Sequence, residues 1–553
     1  MSLPPPHRRG GLGPSDSEVI LESTRHNDTT ASIVTLWAEI NPVAGYLCGR
    51  QPVLSTLFKP TVHNVKEMRY RIHALRQQLP QVADSRLRGT ADALLSALQS
   101  QLALPHPSGA GPSAAAMGGV RAAADGLNRV FLADDRQACC MDAYLDAAHD
   151  LVNFETLRWW GHDFSLLTRR ECLDAAIQLR GALLLLQQSW PEFGGKVNAI
   201  LAALREYRML FEIEGLASGA FAEYWPLLRT GDAIAGPQRT PGFPACLQSR
   251  YQIQESPQQI AALAQAWLER EVPLARKVAR QIAALPFASG ADDLQAVWLR
   301  VCIHYEVDCG DWTARVARAC EDYGACYLLA RDPDAGARCG GRRCPAAQQR
   351  LSLLSMINAW AGAAARGRPA PAPDDDAASP LAGLDTALAE PLCEGMAFCL
   401  EFDYWDAART LLAVAAPTPV QSAYLALYGA TPEAQAEGVL CAQLETYIRR
   451  LLRYVRALGD ARIHDGETTY TDFIAWAAGV TGLSMETLHA ECFGLMAAPG
   501  WAACQAVGPA AYTLSRQHSA VRGVSPRAFH SAAARQRAHA WPIGKSLLAQ
   551  GTV

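Results

Sequence analysis

The chain has 553 residues, of which 50% are hydrophobic and 19% are charged, a balance typical of globular proteins that excludes disorder throughout. Its 50 Lys and Arg residues nearly cancel its 54 Asp and Glu residues, so the net charge of -4 excludes polyanion binding along the whole chain. The length allows about three or four domains or one long array of helices.

The first segment, residues 1–30, is rich in Pro, Gly, Arg and Ser and is predicted to be disordered. It lacks the apolar core of a secretory signal, and no apolar run in the chain is long enough to span a bilayer. We therefore expect a soluble intracellular protein of the cytoplasm or the nucleus. In a reducing compartment its 16 Cys residues are expected to be buried thiols rather than disulfides.

The next segment, 31–230, is predicted to be a helical domain. Apolar residues recur every three or four positions from Val62 to Leu79, which indicates one amphipathic helix that ends at Pro80. Similar spacing predicts further helices at 83–104, 119–133, 136–159, 168–189, 194–214 and 218–229.

A proline-rich stretch, 231–257, is predicted to be a loop or linker. It leads into a central helical domain at 258–366, which includes a Cys-rich loop. The helix expected at 258–285 should kink at Pro273, because proline removes a helical hydrogen bond. Residues 367–384 have low complexity and predict a second linker. Further helices of the central domain are expected at 292–306, 312–330 and 346–366.

The last helical domain is predicted at 385–515, followed by a basic tail at 516–553. Its first part indicates a helical hairpin, with helices at 385–401 and 404–415 joined by Glu401-Phe402-Asp403. Its strongest helix is expected at 432–458, with Thr431 as N-cap and Gly459 just after the end. Shorter helices are expected at 469–479, 484–496 and 500–515.

Strand patterns are nearly absent, and Ala and Leu, which favour helix, are abundant. The sequence therefore predicts an all-α, multi-helix array. The 13 Trp residues are spread from Trp37 to Trp541, as expected where helix pairs stack and large side chains fill the gaps between them. A degenerate α-solenoid is our first prediction, and a compact helical bundle in two lobes is the alternative.

A first candidate metal site is the set of thiols Cys320, Cys326, Cys339 and Cys344. Glycines between Cys339 and Cys344 would let the chain wrap a zinc ion, which needs four ligands in tetrahedral geometry. The spacing matches no familiar pair of Cys-x2-Cys motifs. The competing interpretation is that these are buried helical cysteines beside a loop.

A second candidate site is the stripe formed by Asp142, Asp146 and Asp150, which recur every four residues on one predicted helix. Such carboxylates could hold Mg²⁺ if a second acidic motif faced them, and the sequence shows no such motif in the expected form. The competing interpretation is a solvated helix face.

Two groups of arginines are candidate binding residues. One group is a strip on the 432–458 helix, and the other lies in the tail, since no acidic residue follows Glu491. The tail could bind an acidic protein or a nucleic acid, or it could only solubilise the chain. The candidate binding residues are Arg449, Arg450, Arg453, Arg456, Arg516, Arg522, Arg527, Arg535 and Arg537.

The sequence contains none of the common motifs of catalysis or nucleotide binding. Gly544-Lys545-Ser546 ends like a phosphate-binding loop, but His539 stands where its first glycine is needed. We therefore expect a non-enzymatic scaffold or adaptor that binds proteins within a larger intracellular assembly, viral or nuclear in kind, without a cofactor unless zinc is bound. The alternatives are a Mg²⁺-dependent all-α enzyme and a protein that binds nucleic acid or an acidic partner through its tail.

Overall fold

A computed structural model confirms the all-α, multi-helix fold, and it describes residues 29–47, 50–102, 113–132, 138–162, 164, 166–212, 242–308, 350–352, 381, 386–496, 498–536 and 539–550. Within these ranges the only strands are β1 (Glu306–Asp308) and β2 (Arg350–Ser352). They pair antiparallel, with Val307 opposite Leu351. No helix in the described ranges is both long enough and apolar enough to cross a membrane.

Six helices of the first part form where amphipathic spacing predicts them, whereas the helices at 29–40, Pro42–Leu47 and Phe243–Tyr251 lie where none was predicted. In the helix at 62–78, Val65 and Ile72 are buried on one face, and the Thr61 hydroxyl accepts the backbone N–H of Asn64 at the start. The helices are α1 (29–40), α2 (Pro42–Leu47), α3 (Val62–Gln78), α4 (Ser85–Gln101), α5 (Ser113–Gly126), α6 (Ala138–Trp159), α7 (Leu166–Ser189), α8 (Gly194–Met209) and α9 (Phe243–Tyr251).

The remaining described helices include α14, which is the longest of them. Thr431 caps its N-terminus as predicted, and Pro432 occupies the first turn. The helices are α10 (Pro257–Ala283), α11 (Leu294–His304), α12 (Thr386–Leu411), α13 (Pro419–Leu425), α14 (Pro432–His464), α15 (Tyr470–Thr481), α16 (Met485–Cys492), α17 (Cys504–Val521), α18 (Pro526–Gln536) and α19 (Trp541–Gln550).

Two local predictions were wrong for related reasons. Glu401-Phe402-Asp403 is no turn but lies inside α12, because neighbouring helices supply partners for both carboxylates. Gly459 does not end α14. A Cβ there would lie 2.7 Å from the Phe473 ring, so glycine permits close packing instead. Pro273 lies inside α10 and does not split it, and the kink predicted there stays a prediction.

The crossing of α12 and α17 depends on glycine in both helices. A Cβ on Gly508 would lie 1.8 Å from the carbonyl oxygen of Pro391, and one on Gly395 would lie 2.6 Å from the carbonyl oxygen of Gly508. The absence of a side chain at these positions therefore allows the two backbones to touch.

Two segments predicted to be irregular contain packed helices. Within 231–257, α9 buries Phe243 and Tyr251 in the core. The predicted tail contains the end of α17 together with α18 and α19, and it buries Phe529 and Trp541. Apolar residues in both segments were too few to show a clear helical period in the sequence, although Phe243, Tyr251, Phe529 and Trp541 all face the core.

Within the described part of the chain, the buried apolar residues form three clusters. The largest joins α9–α11 with α12–α19, the second lies among α5–α8, and the third joins α1, α3 and α4. The most extensive helix contacts, α10 with α14 and α12 with α17, join helices that are four and five positions apart along the chain. In a solenoid each repeat contacts mainly its neighbours in sequence. The packing of these helices therefore suits the compact bundle better than the solenoid. The solenoid stays a prediction. The predicted domain boundaries also stay predictions.

Candidate functional site in an ionic network on α14

Four of the five arginines of α14, at positions 449, 450, 453 and 456, were predicted to form a surface strip, and for the central pair that was wrong. Arg450 and Arg453 are each only 7% exposed. The reason is that neighbouring helices supply carboxylates on the face of α14 that the arginines occupy, so the charged face is directed inward. A buried guanidinium is tolerable only when it is paired in this way.

Arg453 lies between two glutamates of α12. One of its Nη atoms is 2.6 Å from Glu401 Oε1, and its Nε is 3.3 Å from Glu394 Oε2. The two glutamates are seven residues apart, which is about two helical turns, so both face α14. All three side chains are nearly inaccessible to solvent. The cluster therefore joins α12 to α14 through charge-assisted hydrogen bonds.

Arg450 makes the matching contact with α10. Its Nη1 lies 3.2 Å from Glu271 Oε1, and its guanidinium carbon lies 3.9 Å from the centre of the Phe398 ring, a cation–π geometry. Glu271 Oε2, Arg450 Nε and the Tyr454 hydroxyl are buried without a hydrogen-bond partner among the described residues. Arg450 thus holds α10 and α12 against the same turn of α14.

The outer arginines of the strip also pair with carboxylates. Arg449 Nε is 3.3 Å from Glu445, whose other oxygen accepts the Trp298 indole N–H at 2.6 Å. Arg456 Nη1 is 2.6 Å from Glu491. Every arginine of the predicted strip therefore serves an internal ion pair, which leaves the strip poorly suited to an external ligand.

Further along α14, Asp460 is fully buried at the N-terminal end of α17. Its carboxylate oxygens accept the backbone N–H groups of Gly500 and Ala503, each at 3.0 Å. Burial raises the pKa of Asp460 to about 7, while these N–H groups act to lower it. One turn later, burial lowers the pKa of His464 to about 4, so this ring is neutral at pH 7.

A second polar cluster fixes the C-terminal helices. Asp403 of α12 lies 2.6 Å from Arg516 Nη2 and 2.9 Å from His530 Nε2, and His530 Nδ1 lies 2.6 Å from the Tyr512 hydroxyl. Burial lowers the pKa of His530, so the neutral ring donates from Nε2 to Asp403 and accepts at Nδ1 from Tyr512. Arg516, predicted to bind an external partner, belongs to this cluster.

The other tail arginines remain candidates. Arg522 is exposed just after α17. Arg527 and Arg535 lie on α18, and Arg537 lies outside the described residues. Binding of an acidic partner or nucleic acid by the tail stays a prediction.

The aspartate stripe lies on the surface of α6, and lysines pair with it. Lys196 of α8 is 2.8 Å from Asp142 and 2.7 Å from Asp146, and Lys59 pairs with Asp150. The three carboxylates are 58%, 65% and 65% exposed. Lysine ammonium groups thus supply the positive charge that Mg²⁺ would supply, and the Mg²⁺ site stays a prediction.

Metal binding by the predicted thiols also stays a prediction, because Cys320, Cys326, Cys339 and Cys344 all lie outside the described residues. Within the parts of the chain that the structure covers, no group of three or more His, Cys, Asp or Glu side chains could hold a metal ion.

Two further buried carboxyl groups, outside the α14 network, were also not identified from the sequence. Glu155 of α6 accepts the Trp159 indole N–H at 2.5 Å, and burial raises its pKa to about 7. Glu171 of α7 is 1% exposed, neither of its oxygens has a partner among the described residues, and burial raises its pKa to about 8. A single glutamate among the apolar positions of an amphipathic helix, such as Glu171 next to Cys172, is the sequence signal that could have identified these two groups.

Comparison with known proteins establishes only the fold. No protein-family model and no curated protein sequence matches the chain. A solved candidate lipoprotein from Colwellia psychrerythraea is similar over 97% of this chain and 98% of its own, with 12% identity and a TM-score of 0.54. A candidate lipoprotein of unknown function from Shewanella oneidensis is similar over 94% and 99%, with 12% identity and a TM-score of 0.51.

Proposed function

We infer that this protein is a non-enzymatic helical scaffold that binds another protein. The observation that carries the inference is an exposed apolar pair at the end of α6, where Leu157 is 78% and Trp160 is 68% exposed. The two residues are three positions apart and therefore lie on one side of the helix end. A solvent-exposed Trp with an apolar neighbour is a common anchor of protein–protein interfaces.

The ionic network supports the same inference. A general acid or base must reach its substrate, whereas Glu394, Glu401 and Arg453 are enclosed and paired with one another. These charges hold α10, α12 and α14 in fixed positions. A rigid frame of this kind is what a scaffold needs to present a surface in a constant shape.

A site-specific photo-crosslinker at position 160 tests the proposal in cells that produce the full chain. Tyr70 on α3 is the matched control, because it is an aromatic residue with a similar exposure of 74%. We expect a discrete crosslinked protein from position 160 and none from position 70. Absence of a product at 160, or the same products from both positions, would contradict the proposal.

The crosslinked protein should then bind the purified full chain directly. Trp160→Ala is expected to weaken that affinity at least about tenfold, which corresponds to about 1.4 kcal/mol. Tyr70→Ala should leave it unchanged. If the wild type, Trp160→Ala and Tyr70→Ala bound the partner with equal affinity, the apolar pair would not be the anchor.

A further inference from the structure

A cavity of about 190 Å³ lies where α2, the segment after it, the end of α5 and the start of α6 meet. Its walls include the aromatic rings of Tyr46 and Phe131 and the thiol-bearing residue Cys140. Phe131 is buried, whereas Val53 is 43% exposed, so the cavity has a closed inner wall and a wall that borders solvent. The remaining lining residues are Pro52, Leu54 and Val130.

One wall of this cavity is a π-helical turn, Leu127–Phe131, which continues α5. The backbone N–H of Leu132 donates to the carbonyl of Leu127, five residues earlier, as a π-turn requires. This turn places Val130 and Phe131 in the cavity wall. Turns of this type occur frequently at functional sites.

The π-turn is built by two residues outside the cavity. The hydroxyl of Tyr144, which is fully buried, donates to the carbonyl of Ala123 at 2.9 Å and so occupies an acceptor of the helical ladder. A Cβ at Gly126 would lie 2.0 Å from that hydroxyl, so only glycine admits it. The Phe131 ring then packs against the Tyr144 ring with centroids 5.0 Å apart, which fixes the wall.

We propose that this cavity is a binding site for a neutral molecule with a single aromatic ring. No lining residue carries a charge, so an ionic ligand would lose its hydration without gaining a counter-ion. The volume fits because a cavity of about 150 Å³ is known to hold benzene, so a slightly larger one admits a ring with one small substituent. Much of the lining surface is polar, which favours a substituent such as a hydroxyl group that can form a hydrogen bond. Two lining aromatic rings can pack edge to face against such a ligand.

Phenol is a suitable probe because it is neutral at pH 7, and benzoate is the charged comparison of similar size. Ligand-observed NMR on the full chain should show saturable phenol binding and no benzoate binding. Cys140→Leu fills the cavity and should abolish phenol binding. Cys302→Leu, the same change at a half-buried thiol on α11, should leave it intact.

Two results would overturn the proposal. One is that the wild type does not bind phenol, or that Cys140→Leu binds phenol with the same affinity as the wild type. The other is benzoate binding as strong as phenol binding. If Cys140→Leu does not fold, Val53→Trp provides a second block, since residue 53 is on the exposed wall where a large side chain adds little strain. That variant must also lose phenol binding. The site is independent of the partner surface at Trp160.

Discussion

Glu171 shows how one buried group can control the pH dependence of stability. Its pKa is raised by burial from 4.5 to about 8, so the folded protein keeps a proton that the unfolded chain has lost at neutral pH. The contribution of this group to stability is complete below pH 4.5 and decreases as the pH rises toward 8. The unpartnered carboxylate is therefore a weakness of the fold under alkaline conditions.

In the wild type, ionisation of Glu171 lowers the free energy of unfolding between pH 4.5 and pH 8. We predict that Glu171→Gln removes this loss, so that the decrease between the two pH values is roughly 3–5 kcal/mol smaller in the variant than in the wild type. Urea denaturation at both pH values measures this. Glu206→Gln, an exposed change on α8, should not alter the pH dependence. A parallel pH profile for wild type and Glu171→Gln would contradict the prediction.

The ionic network gives a second prediction at the residue scale. Arg453→Met removes the cation shared by Glu394 and Glu401 and should lower the free energy of unfolding by about 3–5 kcal/mol. Arg409→Met breaks a pair with Asp406 in which the arginine is 60% exposed, and it should have an effect below about 1 kcal/mol. Chemical denaturation compares the two variants. Similar small losses would show that the buried cluster is not a structural unit.

At the scale of the element, the contact between α12 and α17 is set by their glycines. Gly508→Ala forces a methyl group against the Pro391 carbonyl and should destabilise the fold by about 3 kcal/mol or more. Gly181→Ala on α7 meets no atom within 4 Å and should stabilise it by about 0.4–1 kcal/mol, because alanine favours helix. Thermal and urea unfolding should therefore show a lower stability for Gly508→Ala and a higher stability for Gly181→Ala than for the wild type. A stable Gly508→Ala variant would show that the helices can separate freely.

The helices themselves were largely predictable, and their ends were less so. Capping by Thr61 and Thr431 depends on a few adjacent residues, so the starts of α3 and α14 follow from the sequence. The continuation of α12 through Glu401 and of α14 through Gly459 depends on Arg453 and Phe473, which lie on other helices. Such contacts are not visible in a local pattern.

At the scale of the whole molecule, the C-terminal segment is part of the core. We predict that Trp541→Ala, at a site 2% exposed, lowers the free energy of unfolding by about 3–5 kcal/mol. Trp160→Ala, at a site 68% exposed, should change it by less than about 0.5 kcal/mol. Denaturation of both variants measures this. A negligible effect at 541 would indicate that the segment is a dispensable tail.

The same scale explains why the candidate sites were hard to predict. A stripe of arginines on a helix is usually a solvated face, and only the fold shows that glutamates 271, 394 and 401 lie opposite it. The cavity joins Tyr46, Val53, Phe131 and Cys140 from separate segments and has no motif. The aspartate stripe could be identified from spacing alone, but its pairing with Lys59 and Lys196 could not.

The shared charges of α12 and α14 also bear on how the molecule opens. If α12 detached while α14 stayed docked on α10, Arg453 would lose both of its carboxylate partners while still largely enclosed. Such an intermediate is unfavourable, so the two helices should separate from the bundle in one cooperative step. Their backbone amides are therefore expected to exchange hydrogen with water at a single, common free energy of opening.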